Sequence, residues 1–374
     1  MRIGIDATSL LCAEPRGEGK GLLRLYREIA HLRPEFSFVL FGVSGRPCSD
    51  LWQTIPRARV LRFDVPGFRW NTWENVGLPW HAWRAGCDVL HCASSGAPRY
   101  SPVPVLMTVH DLIPLLIDDG QDAAGQAWFR RRLANGLRAA GAVIAVSAQT
   151  RDDLKKCFPD AIPPVTVVHW GSDAPPIDTG RPLEGDYLLA LGGGAPRKNI
   201  PAVVRVFARV ADDHPHLRLV VLGMGQSAAR ERLFSLATEL GVADRLVVPG
   251  FVSETDLVNW YRHARCLCYL SLYEGFGLPI LEAMSCGVPV VASARSSIPE
   301  VVGDAGVLVD PDDAAATAEA LNAVLKNELW RCELGARALA RAQTFTWRHT
   351  AEATCELLVE VAGRRRRGDG SSST

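Results

Sequence analysis

The sequence predicts an α/β protein built from two doubly wound parallel sheets. Short apolar runs alternate with amphipathic segments through both halves, which is typical of strands joined by helices. The chain has 374 residues, a length that favours two domains over one. A stretch rich in proline and glycine at 174–184 separates the halves and is typical of an interdomain linker.

The first half contains seven apolar runs that predict strands, at 2–6, 37–41, 59–63, 88–92, 105–109, 141–146 and 165–169. Between the first two runs, Gly17, Gly19 and Gly21 predict a loop, either flexible or phosphate-binding, before a helix at 22–32. A helix is predicted at 124–140. Its three consecutive arginines, at 130–132, are expected to form a solvated basic face.

The second half has six such runs, at 187–191, 217–222, 245–248, 266–272, 288–291 and 306–309. The run at 266–272 leads into the loop Glu274-Gly275-Phe276-Gly277-Leu278. Pro279 then suits the first turn of a helix that Gly287 ends. A helix N-terminus at the carboxyl end of a parallel strand is an anion site, well suited to a diphosphate.

Two acidic residues flank this anion site. Glu274 lies on the loop and Glu282 lies one turn into the helix. Because a carboxylate can accept two hydrogen bonds from a vicinal diol, the pair suggests a sugar and a ribose. The alternative for Glu282 is a solvated first-turn residue that the helix dipole favours.

A second turn, after the strand at 187–191, carries Arg197 and Lys198 behind the glycines at 192–194. Arginine binds phosphate bidentately and lysine supplies a point charge, so the pair is suited to clamping a diphosphate. A solvated basic turn is the alternative. Asn199 is expected to cap the helix that follows.

The spacing Glu274-x7-Glu282, followed by Ala-Met-Ser-Cys-Gly-Val-Pro-Val-Val, resembles the signature of the family 4 retaining glycosyltransferases of GT-B fold. The resemblance covers nearly the whole chain and is strongest at 186–312. It implies two Rossmann-like domains facing across a cleft: an acceptor-side domain at 1–174 and a nucleotide-sugar-binding domain at 185–345. A helix at 346–363 would cross back to the first domain, and 364–374 would form a disordered tail.

The resemblance also implies an activity and its site. A hexosyl unit would pass from a nucleotide diphosphate sugar (GDP-mannose or a UDP-sugar) to a hydroxyl of a glycan, lipid-linked or small-molecule acceptor. No metal or other cofactor is expected. Catalytic roles fall on His110, Arg197, Lys198 and Glu274. Donor-binding roles fall on Gly19, Gly21, Gly194, Gly250, Phe251, Gly275, Phe276, Gly277, Leu278 and Glu282.

His110 ends the strand at 105–109, where α/β folds place their chemistry, although a lone histidine is more often hydrogen-bonded packing. The resemblance implies that it binds a sugar hydroxyl near the reacting carbon, and Asp111 is a candidate to orient it. Trp170 departs from the family, which usually has asparagine at this position.

Four tryptophans crowd together at positions 70, 73, 80 and 83. Aromatic residues at such spacing most often belong to a core. The alternative is an exposed apolar surface for an acceptor or a membrane. The four arginines at 364–367 suggest either contact with an anionic membrane or a merely solvated tail.

Charge balance, hydropathy and cysteine usage argue against several classes of protein. Lys+Arg and Asp+Glu both count 41, so nothing indicates nucleic-acid binding. No apolar run reaches the roughly 18 residues that span a bilayer. The N-terminus predicts a strand instead of a signal peptide, and the ten scattered cysteines predict reduced thiols, so a cytoplasmic protein is expected, with possible peripheral contact at the inner face of the membrane.

Other functions are less well supported. Gly223-x-Gly225-x-x-Ala228 fits a dinucleotide motif but lacks an acid at the end of the next strand, which disfavours NAD. Asp310-x-Asp312 is interpreted as a turn and helix cap, with a metal site as the alternative. A sugar-nucleotide epimerase of the same fold and a non-catalytic, two-lobed sugar- or nucleotide-binding protein remain alternative functions.

Overall fold

The computed structural model describes residues 1–13, 15, 17–44, 48–63, 70–160, 162–173 and 178–368, with the backbone alone at residues 70 and 365–368. Residues 174–177 of the predicted linker and 369–374 of the predicted tail lie outside this description. The chain forms two compact units. The first comprises Met1–Leu115, Asp122–Gly171 and the chain from Thr346, and the second comprises Leu116–Gln121 and Ser172–Phe345.

The described part of the first unit contains a parallel sheet of seven strands in the order β3-β2-β1-β4-β5-β6-β7. This confirms the predicted sheet type, and the observed bounds differ from the predicted ones by a few residues. The strands are β1 (Arg2–Asp6), β2 (Ser37–Val43), β3 (Ala58–Phe63), β4 (Val89–Cys92), β5 (Val105–Val109), β6 (Ala140–Ala145) and β7 (Val165–Val167).

Helices cover this sheet. They are α1 (Gly17–Leu32), α2 (Trp70–Thr72), α3 (Leu78–Arg84), α4 (Ile113–Leu116), α5 (Ala123–Ala139), α6 (Ala148–Cys157) and α14 (Trp347–Gly368). A π-helical segment, Trp73–Gly77, joins α2 to α3. The core between sheet and helices includes Ile3 and Ile5 of β1, Tyr26 of α1, and Leu358 of α14. The C-terminal helix is therefore an integral part of the first unit.

The glycines of the first turn are helical, so the predicted loop is wrong. Gly17, Gly19 and Gly21 all lie in α1. A Cβ on Gly19 would lie 2.2 Å from the Ser9 carbonyl oxygen, and one on Gly21 would lie 2.5 Å from the Trp170 ring. These glycines therefore allow close packing of the helix.

The second unit, as far as it is described, has six parallel strands in the order β10-β9-β8-β11-β12-β13. The strands are β8 (Tyr187–Leu191), β9 (Arg218–Leu222), β10 (Leu246–Gly250), β11 (Cys266–Tyr269), β12 (Val290–Ser293) and β13 (Val307–Val309). The helices are α7 (Ile200–Ala211), α8 (Ala228–Glu239), α9 (Glu254–Arg262), α10 (Leu278–Ser285), α11 (Ile298–Val302), α12 (Ala314–Lys326) and α13 (Glu328–Ala342). Two doubly wound sheets are thus confirmed.

The central loop and helix follow the sequence pattern closely. Gly277 stands at the N-cap of α10 with φ of 110°, a conformation that favours glycine, and Pro279 lies in the first turn. Gly287, with φ of 70°, ends the helix. Asn199 holds the N-cap position of α7 but makes no capping side-chain hydrogen bond, so the predicted side-chain cap is wrong.

Two further expectations need correction. The helix α14 continues to Gly368, so residues 364–368 are helical where a disordered tail was predicted. Of the tryptophans, Trp73 is fully buried, but Trp80 and Trp83 are about half exposed, so the core interpretation fails for those two. The side chain of Trp70 lies outside the description.

Each of the ten cysteines, all within the described residues, is a free thiol. The neighbours Cys266 and Cys268 on β11 both pack into the core of the second unit. Among the helices that the structure describes, none combines the length and the apolar character needed to span a bilayer.

Replacing Gly335 with alanine should destabilise the second unit, because its Cβ would lie 2.4 Å from the Gly287 carbonyl oxygen where α13 meets the end of α10. We expect a loss of about 1–3 kcal/mol, measured by urea unfolding followed by circular dichroism. Gly363 in α14 is the matched control, because its added Cβ would meet nothing within 4 Å. There alanine should stabilise by about 0.5–1 kcal/mol. Equal effects at both positions would contradict the packing argument.

Candidate active site

The site in the second unit centres on the carboxylate of Glu274, in the loop after β11. This side chain is 9% exposed. Its Oε1 accepts hydrogen bonds from Lys198 Nζ at 2.7 Å, Tyr269 Oη at 2.9 Å and Ser271 Oγ at 2.6 Å. Glu274 and Lys198, which the sequence predicted separately, are therefore in direct contact.

Arg197 joins the same cluster. Its Nη1 lies 3.2 Å from both carboxylate oxygens of Glu274. On its other side, Nε lies 3.2 Å from Asp119 Oδ2, and the backbone N–H donates to Asp119 Oδ1 at 3.2 Å. Asp119 belongs to the Leu116–Gln121 segment of this unit, and the sequence analysis missed it because no motif surrounds it.

Burial and charge compete in this cluster. Burial raises the pKa of Glu274, but the attraction of Lys198 and Arg197 outweighs it, so the pKa lies below its ordinary value. Burial lowers the pKa of Lys198, and Glu274 opposes that shift. Lys198 Nζ donates to Tyr269 Oη at 2.7 Å and to Glu274, which leaves one of its three N–H groups without a partner among the described residues. An anion can therefore reach a lysine that a buried carboxylate keeps charged.

The loop between Glu274 and α10 is held by two serines that the sequence analysis missed. Ser297 Oγ donates to the carbonyl oxygens of Glu274 and Phe276, each at 2.9 Å. Ser296 Oγ donates to the Glu274 carbonyl at 2.6 Å. The N-cap residue of α10, Gly277, has no side chain that could cap the helix. The two serines therefore fix the positively charged N-terminal end of α10 at a distance of three residues from Glu274 along the chain.

Glu282, on α10, is partly buried, and its Oε2 accepts a hydrogen bond from Tyr261 Oη at 3.0 Å. Tyr261 is itself buried. The alternative of a merely solvated first-turn carboxylate is therefore wrong. The carboxylate is held at one oxygen by a fixed phenol.

The remaining predicted donor residues of the second half lie at the carboxyl edge of the same sheet. Gly250 ends β10, and Phe251 beside it is well exposed. A Cβ on Gly225 would lie 3.3 Å from the Phe251 ring, so the loops after β9 and β10 are adjacent. Gly194, Gly275 and Leu278 lie in the turns and first helical residue that follow β8 and β11.

The acids after β13 do not gather around a cation site. Asp310 Oδ1 and Asp312 Oδ2 accept hydrogen bonds from Arg295 Nη2 at 2.7 and 2.6 Å. Asp313 caps α12 by accepting from two backbone N–H groups, as the turn-and-cap interpretation predicted. The described residues contain no group of three or more His, Cys, Asp or Glu side chains arranged for a metal ion.

The first unit has its own cavity, of about 360 Å³ including its mouth, with polar groups of Glu18 and His110 in its lining. His110 Nε2 lies 2.6 Å from the Ala93 carbonyl oxygen, which can only accept, so this nitrogen carries the proton. Glu18 Oε2 lies 3.8 Å from the same nitrogen, and Glu18 Oε1 accepts from Ser94 Oγ. Trp170 meets the His110 ring edge-on at 5.0 Å.

Of these residues, the sequence analysis predicted His110 and missed Glu18. Asp111, the predicted orienting residue, accepts the N–H of Ile113 at 3.0 Å, whereas Glu18 is the acid paired with the His110 ring. The signal for Glu18 was weak, because it stands between glycines that suggested only a loop.

A buried polar chain lies beneath this cavity. Tyr26 Oη and His91 Nδ1 are 2.7 Å apart, and His91 Nε2 and Thr108 Oγ1 are 2.8 Å apart. Burial lowers the pKa of His91 to about 3. His91 is therefore neutral at physiological pH and serves to hold α1 and β5 in place.

Arg132 departs from the predicted solvated basic face. Its side chain is only 9% exposed, and its Nη2 lies 2.6 Å from Glu74 Oε2. It also donates to the carbonyl oxygens of Ser94 and Ser95, at 3.1 and 3.4 Å. Since Ser95 Oγ accepts the N–H of His110 at 2.9 Å, this ion pair fixes the loop that holds the polar groups of the cavity.

Two family descriptions match the chain. "Glycosyltransferase Family 4" matches residues 15–174, and "Glycosyl transferases group 1" matches residues 176–343. Among curated proteins, the O-antigen chain mannosyltransferase B of Escherichia coli is 38% identical over 169 residues, 45% of this chain and 44% of that protein. A D-inositol 3-phosphate glycosyltransferase of Xylanimonas cellulosilytica is 32% identical over 333 residues, 82% of this chain and 76% of that protein.

The chain spans between 32% and 44% of the length of the similar mannosyltransferases from E. coli. Among solved structures, HepE of Anabaena, in complex with UDP and glucose, matches with a TM-score of 0.73 and 18% identity. That match covers 96% of this chain and all of the other. This likeness supports the fold of the chain.

Glu274→Gln should lower stability in a pH-dependent way. With its folded-state pKa below the ordinary 4.5, the ionised carboxylate stabilises the fold above about pH 4.5 and loses this effect as pH falls through the folded-state pKa. Leaving the partly buried Lys198 and Arg197 without this acid should cost about 3–5 kcal/mol at pH 7.

The measurement is urea unfolding of both proteins between pH 7 and pH 3.5. The difference in free energy of unfolding between the wild type and Glu274→Gln should become smaller as the wild-type carboxylate takes up its proton. Glu282→Gln is the control and should show a smaller gap at pH 7. A gap for Glu274→Gln that stays constant over this range would contradict the assignment.

Proposed function

Because the chain belongs to family 4 of the glycosyltransferases, we propose that it transfers a hexosyl unit from a nucleotide diphosphate sugar to an acceptor hydroxyl. The observation that carries this proposal is the cluster of Arg197, Lys198 and Glu274 beside the N-terminus of α10. Two cations and a helix N-terminus suit a diphosphate, and carboxylates suit hydroxyl groups.

The difficult step is breakage of the bond between the anomeric carbon and the phosphate oxygen, since negative charge then grows on the departing diphosphate. Arg197, the remaining N–H of Lys198 and the first turn of α10 would stabilise that charge. Glu274 would hold both cations in place, and its charge would favour the protonated form of Lys198, because it opposes the lowering of the Lys198 pKa by burial.

The acids would hold the sugars of the donor. Glu274 Oε1 accepts three side-chain bonds at 2.9 Å or less, whereas among the described residues Oε2 is contacted by Arg197 Nη1 alone. We assign Oε2 to a hydroxyl of the transferred sugar. Glu282, anchored by Tyr261, is assigned to the ribose hydroxyls, and the exposed Phe251 to the base.

We further propose that the anomeric configuration is retained. The new bond joins the anomeric carbon to the acceptor oxygen on the face that the diphosphate leaves, and a departing phosphate oxygen takes the acceptor proton. No enzyme nucleophile is required. In the first unit, His110 uses Nε2–H on a backbone carbonyl, which leaves Nδ1 as an acceptor for a sugar hydroxyl near the reacting carbon.

The proposal includes a reaction that needs no divalent metal. Arg197 and Lys198 would supply the positive charge that a metal supplies elsewhere, and Asp310 and Asp312 are both bound to Arg295. We also propose a cytoplasmic protein that touches the inner face of a membrane. The ten free thiols fit a reducing compartment, and a lipid-linked acceptor would place the enzyme at a bilayer.

The donor is proposed to be GDP-mannose or a UDP-sugar. The similar proteins of E. coli are named mannosyltransferases, which favours mannose, while HepE of the same fold was solved with UDP and glucose. The acceptor is proposed to be a hydroxyl of a glycan, a lipid-linked sugar or a small molecule.

Arg197→Gln should weaken binding of the nucleoside diphosphate by about 10–100-fold, because a charge-assisted phosphate contact is worth about 1.5–3 kcal/mol. A thermal-shift panel of UDP, GDP, ADP and dTDP selects the nucleotide, and calorimetry in EDTA then measures its affinity. Arg295→Gln, a surface arginine of the same unit, is the matched control and should bind like the wild type. Unchanged affinity in Arg197→Gln would overturn the clamp, and loss of wild-type activity in EDTA would overturn metal independence.

Substitutions of Glu274 and Glu282 should affect different kinetic constants. Glu274→Ala should lower kcat by about 10²–10³, as for loss of one transition-state contact. Glu282→Ala should mainly raise the donor KM, because ribose contacts bind ground state and transition state alike. The assay follows nucleoside diphosphate release with and without acceptor. Release that does not depend on the acceptor would indicate hydrolysis of the donor, and an epimerised nucleotide sugar formed without acceptor would indicate an epimerase. A donor KM unchanged by Glu282→Ala would reject the ribose assignment.

A further inference from the structure

The segment from residue 71 to residue 84 is apolar on two sides. Its inner side is buried in the first unit through Trp73, Leu78 and Ala82. Its outer side exposes Val76 by 63%, Trp80 by 51% and Trp83 by 47%. The rings of Trp80 and Trp83 lie 5.2 Å apart. Large apolar side chains grouped on a surface in this way indicate an interaction site.

Two more exposed aromatic residues border this segment. Trp128 of α5 donates its indole N–H to Asn71 Oδ1 at 3.3 Å. Tyr100 follows Arg99, whose backbone N–H donates to Asn75 Oδ1 at 2.8 Å. We call Val76, Trp80, Trp83, Tyr100 and Trp128 together the aromatic patch.

The helical part of the aromatic patch carries no exposed acid. Between residues 71 and 87 the sequence has a single acid, Glu74, and that carboxylate is buried and paired with Arg132 at 2.6 Å. Arg84, Arg99 and Arg131 are exposed beside the aromatic residues. The surface therefore offers tryptophans and guanidinium groups without an exposed carboxylate on the helical segment itself.

We propose that the aromatic patch docks on an anionic membrane surface. Tryptophan and tyrosine prefer the boundary between lipid headgroups and acyl chains, and arginine is attracted to anionic lipid. The exposed side chains of the aromatic patch offer an area on the order of 600 Å². A stable protein interface needs about 800 Å² on each partner, so a bilayer is the better occupant. This proposal deepens the proposed function by adding the surface on which a lipid-linked acceptor would be met.

The same segment is tied to the cavity of the first unit. Glu74 pairs with Arg132, and Arg132 donates to the carbonyl oxygens of Ser94 and Ser95. Ser94 binds Glu18 and Ser95 binds the N–H of His110. A membrane that orders the segment would therefore act on a helix that holds the polar groups of this cavity.

The test is flotation of the full-length protein, without donor, on vesicles of phosphatidylcholine alone or with one third phosphatidylglycerol. The wild type should float with the anionic vesicles, and raised salt should weaken this binding. Replacing Trp80 and Trp83 together by serine should reduce binding at least about tenfold, since both the apolar contact and its interfacial anchor are lost. Leu329→Ser, which removes an 85% exposed side chain of the second unit, should bind like the wild type.

Other results would overturn the proposal. One such result is that the wild type does not float with anionic vesicles, and a second is that the Trp80→Ser/Trp83→Ser variant floats as well as the wild type. A third is that vesicle binding is lost only when Arg365, Arg366 and Arg367 are replaced by glutamine. A dimer of the wild type in analytical ultracentrifugation that the tryptophan variant abolishes would assign the surface to a second copy of the chain. Circular dichroism checks that the variant is folded. Nucleotide binding, measured separately, shows whether the proposed function fails independently of membrane docking.

Discussion

The second unit depends on one buried carboxylate. Glu274 is removed from water, and its ionised form is maintained because Lys198 and Arg197 lie within hydrogen-bond distance. The same contacts join the loop after β11 to the turn after β8. The backbone strengthens this link, since the Leu272 N–H donates to the Arg197 carbonyl oxygen at 2.8 Å. The charges that define the site are thus also what holds its loops in register.

Local patterns in the sequence were enough to predict both sheets and the helix of the site. Gly277, Pro279 and Gly287 act through their own backbone conformations, so their meaning does not depend on distant residues. The partners of the site could not be predicted in this way. Asp119 and Arg197 are 78 positions apart, and no local signal marks a carboxylate that reaches across such a distance.

Glycines and arginines show why some predictions from sequence were wrong. A glycine is equally suited to a flexible loop and to a site of close packing. Gly19 and Gly21 are packing positions, because Ser9 and Trp170 occupy the space beside them. An arginine in a run of three suggests solvent exposure. Arg132 is instead largely withdrawn from solvent, because Glu74, 58 positions earlier, compensates its charge. Both outcomes are decided by partners that are distant in the chain.

The short segment Leu116–Gln121 has a consequence for dividing the protein. Although it lies within the first half of the sequence, it packs with the second unit and brings Asp119 to Arg197. A fragment starting after the interdomain linker would therefore lose the acid that holds one side of this arginine. The boundary that the sequence suggests for separate expression is not the boundary at which the second unit is complete.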